Sequence, residues 1–318
     1  MDSVTKADET LALRARGLVR RFGETTAVDG IDLDLHRGEV MALLGPNGAG
    51  KTSTVEMCEG FIAPDEGSIS IFGLDPIANR ERVHARVGMM LQGGGAYSAS
   101  RTEEMLRLIA SFYADPIDVD WLLDTLGMRE HGRTPYRRLS GGQQQRLSLA
   151  CAIVGKPELV FLDEPTAGLD AQSRIAVWEL VRALRRDGVA VLLTTHLMDE
   201  AAELADSVVI IDRGSVVATG SPEQISSLGL NDGVVASFHD DVAASELERL
   251  ADALSNFDVR VRGGNRANEI SIDGASSPEI FAAACAHFAA NDMAIERIGR
   301  HERSLEDVFL ELTGKDLR

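Results

Sequence analysis

One short stretch constrains the fold of this chain more than any other feature. It reads Gly45-Pro46-Asn47-Gly48-Ala49-Gly50-Lys51-Thr52 and fits the phosphate-binding pattern G-x-x-x-x-G-K-[ST]. In this pattern the glycines let successive backbone N–H groups turn inward around a polyphosphate. The lysine reaches the β- and γ-phosphates, and the threonine hydroxyl ligates Mg²⁺.

The sequence on both sides of this loop supports a functional reading. Residues 40–44 are uniformly apolar and predict a buried strand that runs into the loop, and residues 52–58 predict a helix whose N-terminus points at the phosphates. A chance glycine turn is the alternative, but at ordinary amino-acid usage only about one chain in a hundred of this length would match. We therefore predict a nucleoside triphosphate site.

Side chains that could take part in catalysis follow two further apolar stretches, each of which predicts a buried strand. Residues 159–162 lead directly into Asp163 and Glu164, and residues 189–195 lead into His196. Ligands of open parallel sheets bind beyond the carboxyl ends of the strands. Because Lys51 also follows a strand end, we expect these side chains to meet at one edge of a sheet. A solitary histidine is more often structural, but this placement singles out His196.

A third motif combines a helix cap with paired glycines. It reads Leu139-Ser140-Gly141-Gly142-Gln143-Gln144-Gln145-Arg146 and opens a helical pattern that continues to about residue 154. Ser140 is a good helix N-cap, and the glycines beside it leave backbone N–H groups bare for an anion. Alone, the motif could be an ordinary cap. The acidic strand end and the Ala-Gly-Leu-Asp turn of residues 167–170 that follow it favour a functional role.

Composition narrows the range of partners. The 318 residues carry 32 basic and 50 acidic side chains, a formal net charge of -18. Such a surface repels phosphate backbones, so we expect no nucleic acid as a partner, and it also argues against adhesion to anionic lipid through a basic patch. Three widely separated cysteines, Cys58, Cys151 and Cys285, predict buried free thiols in a reducing compartment rather than a metal site.

The sequence shows no sign of direct membrane insertion. No apolar run approaches the roughly 18 residues of a membrane span, and the polar N-terminus lacks a signal-peptide pattern. We therefore expect a cytoplasmic polypeptide that reaches a membrane only through a partner.

Length and pattern predict one large α/β domain and a smaller one. We place a flexible N-terminus at residues 1–10, the large domain at residues 11–228 and an accessory domain at residues 229–318. Within the large domain, residues 102–128 carry a helical pattern whose two apolar stripes, which include Phe112 and Trp121, we assign to the core. In the smaller domain the order β-α-β-β-α-β suggests a ferredoxin-like fold, closed by a helix at residues 304–312.

The order of these motifs resembles that of ABC-type ATPases over roughly residues 11–225. The motifs that carry the resemblance are the phosphate loop, Gln92, the serine–glycine signature, the strand into Asp163 and Glu164, the Gly-Leu-Asp turn and His196. The tail at residues 304–314 is similar to that of the bacterial drug-efflux branch, typified by daunorubicin-type exporters. The resemblance implies an α/β fold: a P-loop ABC ATPase domain with a RecA-like core, an antiparallel β subdomain and a helical signature subdomain.

The same resemblance implies roles for individual residues in ATP hydrolysis with Mg²⁺. Asp163 is expected to bind the metal together with Thr52, and Glu164 to act as general base on the attacking water. Gln92 is similar to the glutamine that touches Mg²⁺ and water and senses the membrane partner. His196 is similar to the switch residue that contacts the γ-phosphate. Lys51 neutralises phosphate charge in this scheme.

The resemblance also implies the nucleotide contacts. Phe22 takes the place of the family's adenine-stacking aromatic, usually a tyrosine. The other expected contacts are Gly45, Pro46, Asn47, Gly48, Ala49, Gly50, Lys51, Thr52, Ser53, Ser140, Gly141, Gly142 and Gln143.

In the family that this chain resembles, the signature acts in trans. Two subunits pack head to tail, and each signature closes over ATP held by the opposite phosphate loop. The chain holds one phosphate loop and one signature, so two complete sites need two chains. The resemblance therefore implies a homodimer that drives a separate multi-span permease, contacted near Gln92 and residues 93–101. The chain would then lie at the cytoplasmic side of the cell membrane.

We weighed two other functions. The first is a soluble ABC ATPase that acts on DNA or ribosomes; its members carry coiled-coil insertions or two cassettes, neither of which occurs here, and the net charge of -18 opposes it. The second is a non-catalytic regulatory module, which is disfavoured because every catalytic position is filled. We therefore expect the ATPase subunit of an exporter of a hydrophobic drug or a lipid-like compound.

Overall fold

The computed structural model of the chain describes residues 10–90, 99–227, 233–264, 266–274, 277–301 and 304–314. It divides into two compact units, Met1–Ile225 with Phe309–Arg318, and Ser226–Val308. The domain limits expected at residues 10 and 228 stay predictions. Gln92, residues 93–98 of the expected permease contact and residues 1–9 lie outside the described residues.

Strands and helices alternate along most of the described residues. The strands are β1 (Leu11–Phe22), β2 (Thr25–His36), β3 (Val40–Leu44), β4 (Glu66–Ile71), β5 (Val87–Met90), β6 (Leu159–Asp163), β7 (Ala190–Thr194), β8 (Ser207–Asp212), β9 (Ser215–Gly220), β10 (Gly233–Phe238), β11 (Val259–Gly263), β12 (Glu269–Gly274) and β13 (Ile295–His301). The helices are α1 (Lys51–Cys58), α2 (Arg80–His84), α3 (Thr102–Ala110), α4 (Val119–Thr125), α5 (Gly141–Ile153), α6 (Ala171–Arg186), α7 (Met198–Leu204), α8 (Pro222–Ser226), α9 (Ala244–Ala253), α10 (Pro278–Ala290) and α11 (Leu305–Thr313).

A six-stranded sheet in the order β5-β6-β7-β3-β8-β9 forms the centre of the larger unit. The first five strands in this order, β5, β6, β7, β3 and β8, are parallel, and β9 pairs antiparallel with β8. β3 and β7 are buried along their whole length, as expected of a parallel sheet that is covered on both faces. The carboxyl ends of β3, β6 and β7 lie side by side, so the phosphate loop, Asp163 and Glu164, and His196 all follow the same edge of the sheet.

An antiparallel sheet in the order β2-β1-β4 packs against this centre. Along β2 the apolar Ile31, Leu33 and Leu35 are buried while the acidic residues between them are exposed, which is the alternation that the sequence shows. These side chains belong to one hydrophobic core together with residues of β3, α1 and β6. The RecA-like centre and the antiparallel sheet therefore share a core.

Helices α3, α4 and α5 lie between β5 and β6 in the chain and form the helical part. The helical pattern expected over residues 102–128 is interrupted: α3 ends at Ala110 and α4 begins at Val119, because Pro116 between them lacks the N–H that a continuous helix needs. The assignment of both apolar stripes to the core was also partly wrong. Leu106 and Leu122 are buried, but Phe112 is 75% and Trp121 51% exposed.

Both exposed aromatics have a local explanation. Phe112 comes after the end of α3, in the turn where the helical periodicity no longer applies. Trp121 lies one position away from the buried Leu122–Leu123 pair and therefore on the outer face of α4.

The smaller unit contains a four-stranded antiparallel sheet in the order β11-β12-β10-β13. Alternate residues of β10 and β12 share a core with α9 and α10, and the rings of Phe238 and Phe288 meet edge to face with centroids 5.0 Å apart. From β10 to β13 the elements follow the order β-α-β-β-α-β that the sequence predicts, and α11 comes next. The accessory role of this unit stays a prediction.

The cysteines are free, as expected, but not equally buried. Cys58 is fully buried, and Cys151 and Cys285 are half-buried. Burial raises the pKa of the Cys58 thiol to about 12, so this thiol is held in its inert, protonated form.

Candidate active site

The phosphate loop connects β3 to α1 and is fixed by close backbone contacts. A Cβ atom on Gly45 would lie 2.3 Å from the carbonyl oxygen of Ile211, and one on Gly50 would lie 2.3 Å from the carbonyl oxygen of Ala27. Gly50 also has a φ of 104°, a conformation that only glycine adopts without strain. The neighbouring backbone therefore holds the loop in place, with the N-terminal N–H groups of α1 at its mouth.

The Lys51 ammonium lies across this loop. Its Nζ donates hydrogen bonds to the carbonyl oxygens of Gly45 at 2.6 Å and Pro46 at 3.1 Å. Burial lowers the pKa of Lys51, and the charges of Glu164 and Asp163 act in the opposite direction. The ammonium is therefore bound to the loop carbonyl oxygens, and a bound phosphate would compete with these carbonyls for it.

Asp163 ends β6 next to Thr194 of β7. The two residues are in register across the parallel pair, and the Thr194 Oγ1 donates a short hydrogen bond to Asp163 Oδ1. Thr194 is only 1% exposed, so its hydroxyl is a fixed part of the sheet edge. This contact orients the Asp163 carboxylate toward the phosphate loop.

Glu164 has a strained backbone that its neighbours hold. Its φ is 48°, a left-handed conformation that costs a non-glycine residue on the order of 1–3 kcal/mol. Its N–H donates to the Thr194 carbonyl oxygen at 3.0 Å and to Thr194 Oγ1 at 3.2 Å. Gln145 on α5 donates from Nε2 to the Glu164 carbonyl oxygen at 2.6 Å. Strain that is fixed in this way is typical of active sites.

His196 meets Glu164 as the sequence predicts. The imidazole Nδ1 lies 3.3 Å from Glu164 Oε1, and the side chains are 41% and 30% exposed, respectively. A carboxylate whose geometry is set by an adjacent imidazole, and which can still be reached by water, has the arrangement of a general base with an orienting partner.

A cavity of about 260 Å³ brings most of the predicted nucleotide contacts together. Its lining consists of Phe22 and Ala27, residues 47–53 of the loop and α1, and the two carboxylates Asp163 and Glu164. Phe22 is 49% exposed, and the Arg20 guanidinium carbon lies 4.9 Å from its ring centroid. Gly45 and Pro46 do not line this cavity. Their carbonyl oxygens accept hydrogen bonds from Lys51, which does line it.

The signature forms a different cavity, of about 520 Å³. Ser140, Gly141 and Gly142 line it together with residues 167–170, and none of its lining residues belongs to the phosphate-loop cavity. Gly142 packs tightly here, because a Cβ atom on it would lie 3.0 Å from the Leu169 Cδ2. Gln143, an expected nucleotide contact, turns its side chain back to the Ser140 N–H and toward His131.

The donor set at the phosphate-loop cavity fits Mg²⁺. Within the described residues, no group of three or more His, Cys, Asp or Glu side chains could hold a metal ion. Mg²⁺ in nucleotide sites needs only one or two protein oxygens, because phosphates and waters supply the remaining ligands. Thr52 and Asp163 line the same cavity and provide such oxygens.

Sequence reasoning missed three residues of this region. Thr194 and Gln145 hold Asp163 and Glu164, and Glu59 lies buried at the C-terminal end of α1. Burial, aided by the charges of Asp163 and Glu56, raises the pKa of Glu59 to about 8. In the sequence, Glu59 is marked only by its position directly after the predicted helix of residues 52–58. Thr194 is marked only by its position near the end of the apolar stretch that leads to His196.

Comparison with known proteins agrees with this geometry. Residues 28–167 match the family described as ABC transporter. Daunorubicin/doxorubicin resistance ATP-binding protein DrrA of Streptomyces peucetius is 35% identical over 315 residues, which cover 96% of this chain and 93% of that protein. Nod factor export ATP-binding protein I of Ralstonia nicotianae is 33% identical over 315 residues, which cover 97% of this chain and 96% of that protein.

A solved structure of an ATP-binding subunit of an ABC transporter is similar with a TM-score of 0.63 at 29% identity, over 68% of this chain and 92% of that one. The fold and the site thus define a P-loop ATPase of the cassette type. The chain belongs to the ABC transporter family, as an ATPase subunit whose hydrolysis of ATP is coupled to transport. Its resemblance to the daunorubicin-resistance branch is confirmed. No helix in the described ranges is long and apolar enough to cross a membrane.

Proposed function

We propose that two copies of this chain sandwich ATP and drive a separate membrane permease that exports a hydrophobic drug or a lipid-like compound. One observation carries the dimer: the phosphate loop with Glu164 and the signature with Ser140 line separate cavities of the same chain. Among the described residues, the signature of one chain therefore does not line that chain's own phosphate-loop cavity. A second chain that packs head to tail would bring its Ser140, Gly141 and Gly142 to the Lys51 of the first chain.

The residues of the phosphate-loop cavity divide the chemistry among them. Lys51 and the N–H groups of residues 47–52 neutralise and position the phosphates. Glu164 takes a proton from the attacking water, and His196, which lies 3.3 Å from its carboxylate, keeps it oriented and contacts the γ-phosphate. Phe22 stacks on the adenine. Closure by the partner's Ser140, Gly141 and Gly142 excludes bulk water.

Thr52 and Asp163 are the residues that would hold Mg²⁺, with Gln92 as an expected further contact. When bound, the ion neutralises charge on the phosphate oxygens. The contribution of the protein is the orientation of the two oxygens. Thr194 fixes the Asp163 carboxylate, and the backbone of the first turn of α1 carries Thr52.

The export function rests on the relatives. Both are named as subunits of export or resistance systems, and this chain covers more than nine-tenths of each. We infer that the permease is a separate multi-span protein and that this chain lies peripherally at the cytoplasmic side of the membrane. Co-purification with a multi-span membrane protein would support this assignment, whereas recovery with ribosomes or DNA would contradict it.

The dimer is tested with the base disabled. We expect Glu164→Gln to bind Mg²⁺-ATP and to double its mass in light scattering after size exclusion, and to return to a monomer with ADP. The double variant Glu164→Gln/Ser140→Arg is the matched control and should bind ATP as a monomer. A monomeric Glu164→Gln protein with Mg²⁺-ATP bound would contradict the proposed function.

A further inference from the structure

His131 lies outside the proposed catalytic residues and contacts the helix cap of the signature. Ser140 and Gln143 form a reciprocal cap at the start of α5: the Ser140 N–H donates to Gln143 Oε1 at 2.9 Å, and the Gln143 N–H donates to Ser140 Oγ at 3.3 Å. The other end of the Gln143 amide, Nε2, lies 2.9 Å from Nε2 of His131. The cap therefore has a third member.

The orientation of this amide fixes the protonation state of the imidazole. The Ser140 N–H can only donate, so the Gln143 atom that faces it must be the carbonyl oxygen, and the atom that faces His131 must be the NH₂ group. An NH₂ group donates only, so the His131 Nε2 must be the acceptor, and the proton of the neutral ring must reside on Nδ1. A doubly protonated ring would place two donors 2.9 Å apart.

His131 itself is anchored by backbone hydrogen bonds. It ends a 3₁₀ turn, Arg129–His131, where its N–H donates to the Met128 carbonyl oxygen at 2.9 Å and its carbonyl oxygen accepts from the Thr134 N–H at 2.8 Å. The turn is further tied to α4, because Arg129 forms ion pairs with Asp120 and Asp124. The ring is therefore presented to Gln143 by a fixed segment.

We propose that neutral His131 is a positioning residue for ATP hydrolysis, which keeps the Gln143 amide in the orientation that caps α5 and so sets the position of Ser140. The inference rests on the proposed trans role of the signature. Because Ser140 and Gly141 contact the nucleotide only in the closed dimer, loss of the histidine lowers turnover and leaves ATP binding by the monomer unchanged.

Protonation of His131 has the same consequence as its loss. The ring can then no longer accept from Gln143, and either the amide flips or the cap opens. The charged groups on the surrounding elements are Glu103 and Arg107 of α3, the Arg129 cluster with Asp120 and Asp124 of α4, the neighbouring Glu130, and Arg146 of α5. Arg129 and Arg107 are engaged in ion pairs, and Arg146 donates to backbone carbonyl oxygens.

Two variants of similar size separate positioning from packing. His131→Leu removes the acceptor, and His131→Gln restores an acceptor that does not titrate. With the purified full chain at pH 7.5, we expect His131→Leu to lower kcat about fivefold to tenfold and to leave the affinity for a fluorescent ATP analogue unchanged, and His131→Gln to retain wild-type kcat. In a pH series we expect the kcat of His131→Gln to depend less on pH than that of the wild type, because only the imidazole can lose its acceptor nitrogen by protonation.

Comparison of Ser140→Arg with His131→Leu distinguishes a failure of the trans site from a failure of the positioning role. If Ser140→Arg still hydrolyses ATP, the trans site itself is refuted. If Ser140→Arg is inactive but His131→Leu turns over at the wild-type rate, only the positioning role is overturned. Thermal unfolding of each variant checks the fold. Should His131→Leu unfold early, the pH profile of His131→Gln decides alone, and a profile that coincides with the wild type contradicts the inference.

Discussion

The two halves of the proposed ATP sandwich are built differently. The phosphate-loop half is held by the backbone: Gly45 and Gly50 touch neighbouring carbonyl oxygens, and Asp163 and Glu164 are fixed by a buried strand edge. The signature half is a capped helix end on the exposed side of the helical part, held by reciprocal hydrogen bonds between Ser140 and Gln143. We therefore call the first the rigid half, because backbone contacts fix it before ATP arrives, and the second the signature half, because it depends on a side-chain cap.

This difference predicts different failures. Changes in the rigid half act on ATP binding, on the chemical step or on the stability of the fold, because nothing nearby can move to compensate. Changes in the signature half act on closure and leave the monomer's affinity for ATP intact. Substitutions at four test positions of the rigid half, each with a control, examine how far this description holds, and the His131 variants test the other half.

The largest effect is expected at Gly50. We expect Gly50→Ala to lower ATP affinity by about a hundredfold or more, because the new Cβ would lie 2.3 Å from the Ala27 carbonyl oxygen and the loop must move. Gly48→Ala is the matched control. Gly48 also has a positive φ, of 78°, but nothing lies within 4 Å of a Cβ there, so the loss should stay near the strain alone, about fivefold. Equilibrium titration with a fluorescent nucleotide measures both, and equal losses would show that steric fixation of the loop is not the cause.

A buried acid gives the rigid half a measurable pH dependence. The pKa of Glu59 is raised from 4.5 in its ordinary state to about 8 in the fold. Below about pH 4.5 both the folded and the unfolded chain hold the proton, and as the pH rises toward 8 only the unfolded chain releases it, so the fold loses stability over this window. We expect Glu59→Gln to increase the free energy of unfolding at pH 8 by on the order of 4 kcal/mol, and not at pH 4.5.

Denaturant unfolding of the nucleotide-free chain at several pH values measures this difference. Groups remote from Glu59 titrate equally in both proteins, so the difference between wild type and variant reports Glu59 together with its coupling to Asp163 and Glu56. If Glu59→Gln and the wild type lose stability in parallel as the pH rises, Glu59 is charged in the fold at neutral pH and the account of its burial is wrong.

Thr194 tests whether the fixed orientation of Asp163 matters for turnover. We expect Thr194→Val to lower kcat about tenfold and to raise the Mg²⁺ concentration needed for half-maximal activity, since the hydroxyl that donates to Asp163 Oδ1 is lost. Thr194→Ser keeps the hydroxyl and should stay near the wild-type rate. If Thr194→Val showed the same dependence on Mg²⁺ as the wild type, the hydrogen bond from Thr194 to Asp163 would have no influence on the metal site.

Most of the fold could be predicted because its signals are local. The strands of the parallel sheet are short and apolar throughout, and the phosphate loop fixes which strand precedes which helix. The stripe through Phe112 was misassigned because helical periodicity cannot show where a helix ends, and the proline at 116 gave the only warning. Strands β8 and β9 were not foreseen, because a hairpin at the sheet edge follows no motif.

The site divides in the same way. Residues whose roles follow from a motif, such as Lys51, Asp163 and Ser140, could be named from the sequence. Thr194 and His131 could not, because their roles come from a register between strands and from an amide that turns away from solvent. Such partners are set by tertiary packing, which a single sequence does not display.

The smallest effect is expected at the adenine end of the rigid half. Phe22 lines the phosphate-loop cavity and is 49% exposed, and Arg20 covers part of its ring. Stacking of one aromatic ring is worth about 1 kcal/mol, so Phe22→Ala should weaken binding of ATP and of ADP alike by about fivefold, with kcat unchanged at saturation. Phe22→Tyr keeps the ring and should bind as the wild type does. Phe61, which is 44% exposed and does not line this cavity, supplies the control Phe61→Ala, with no expected loss. If Phe22→Ala lowered kcat instead of affinity, the aromatic would act in closure, and the rigid half would extend less far than its backbone contacts indicate.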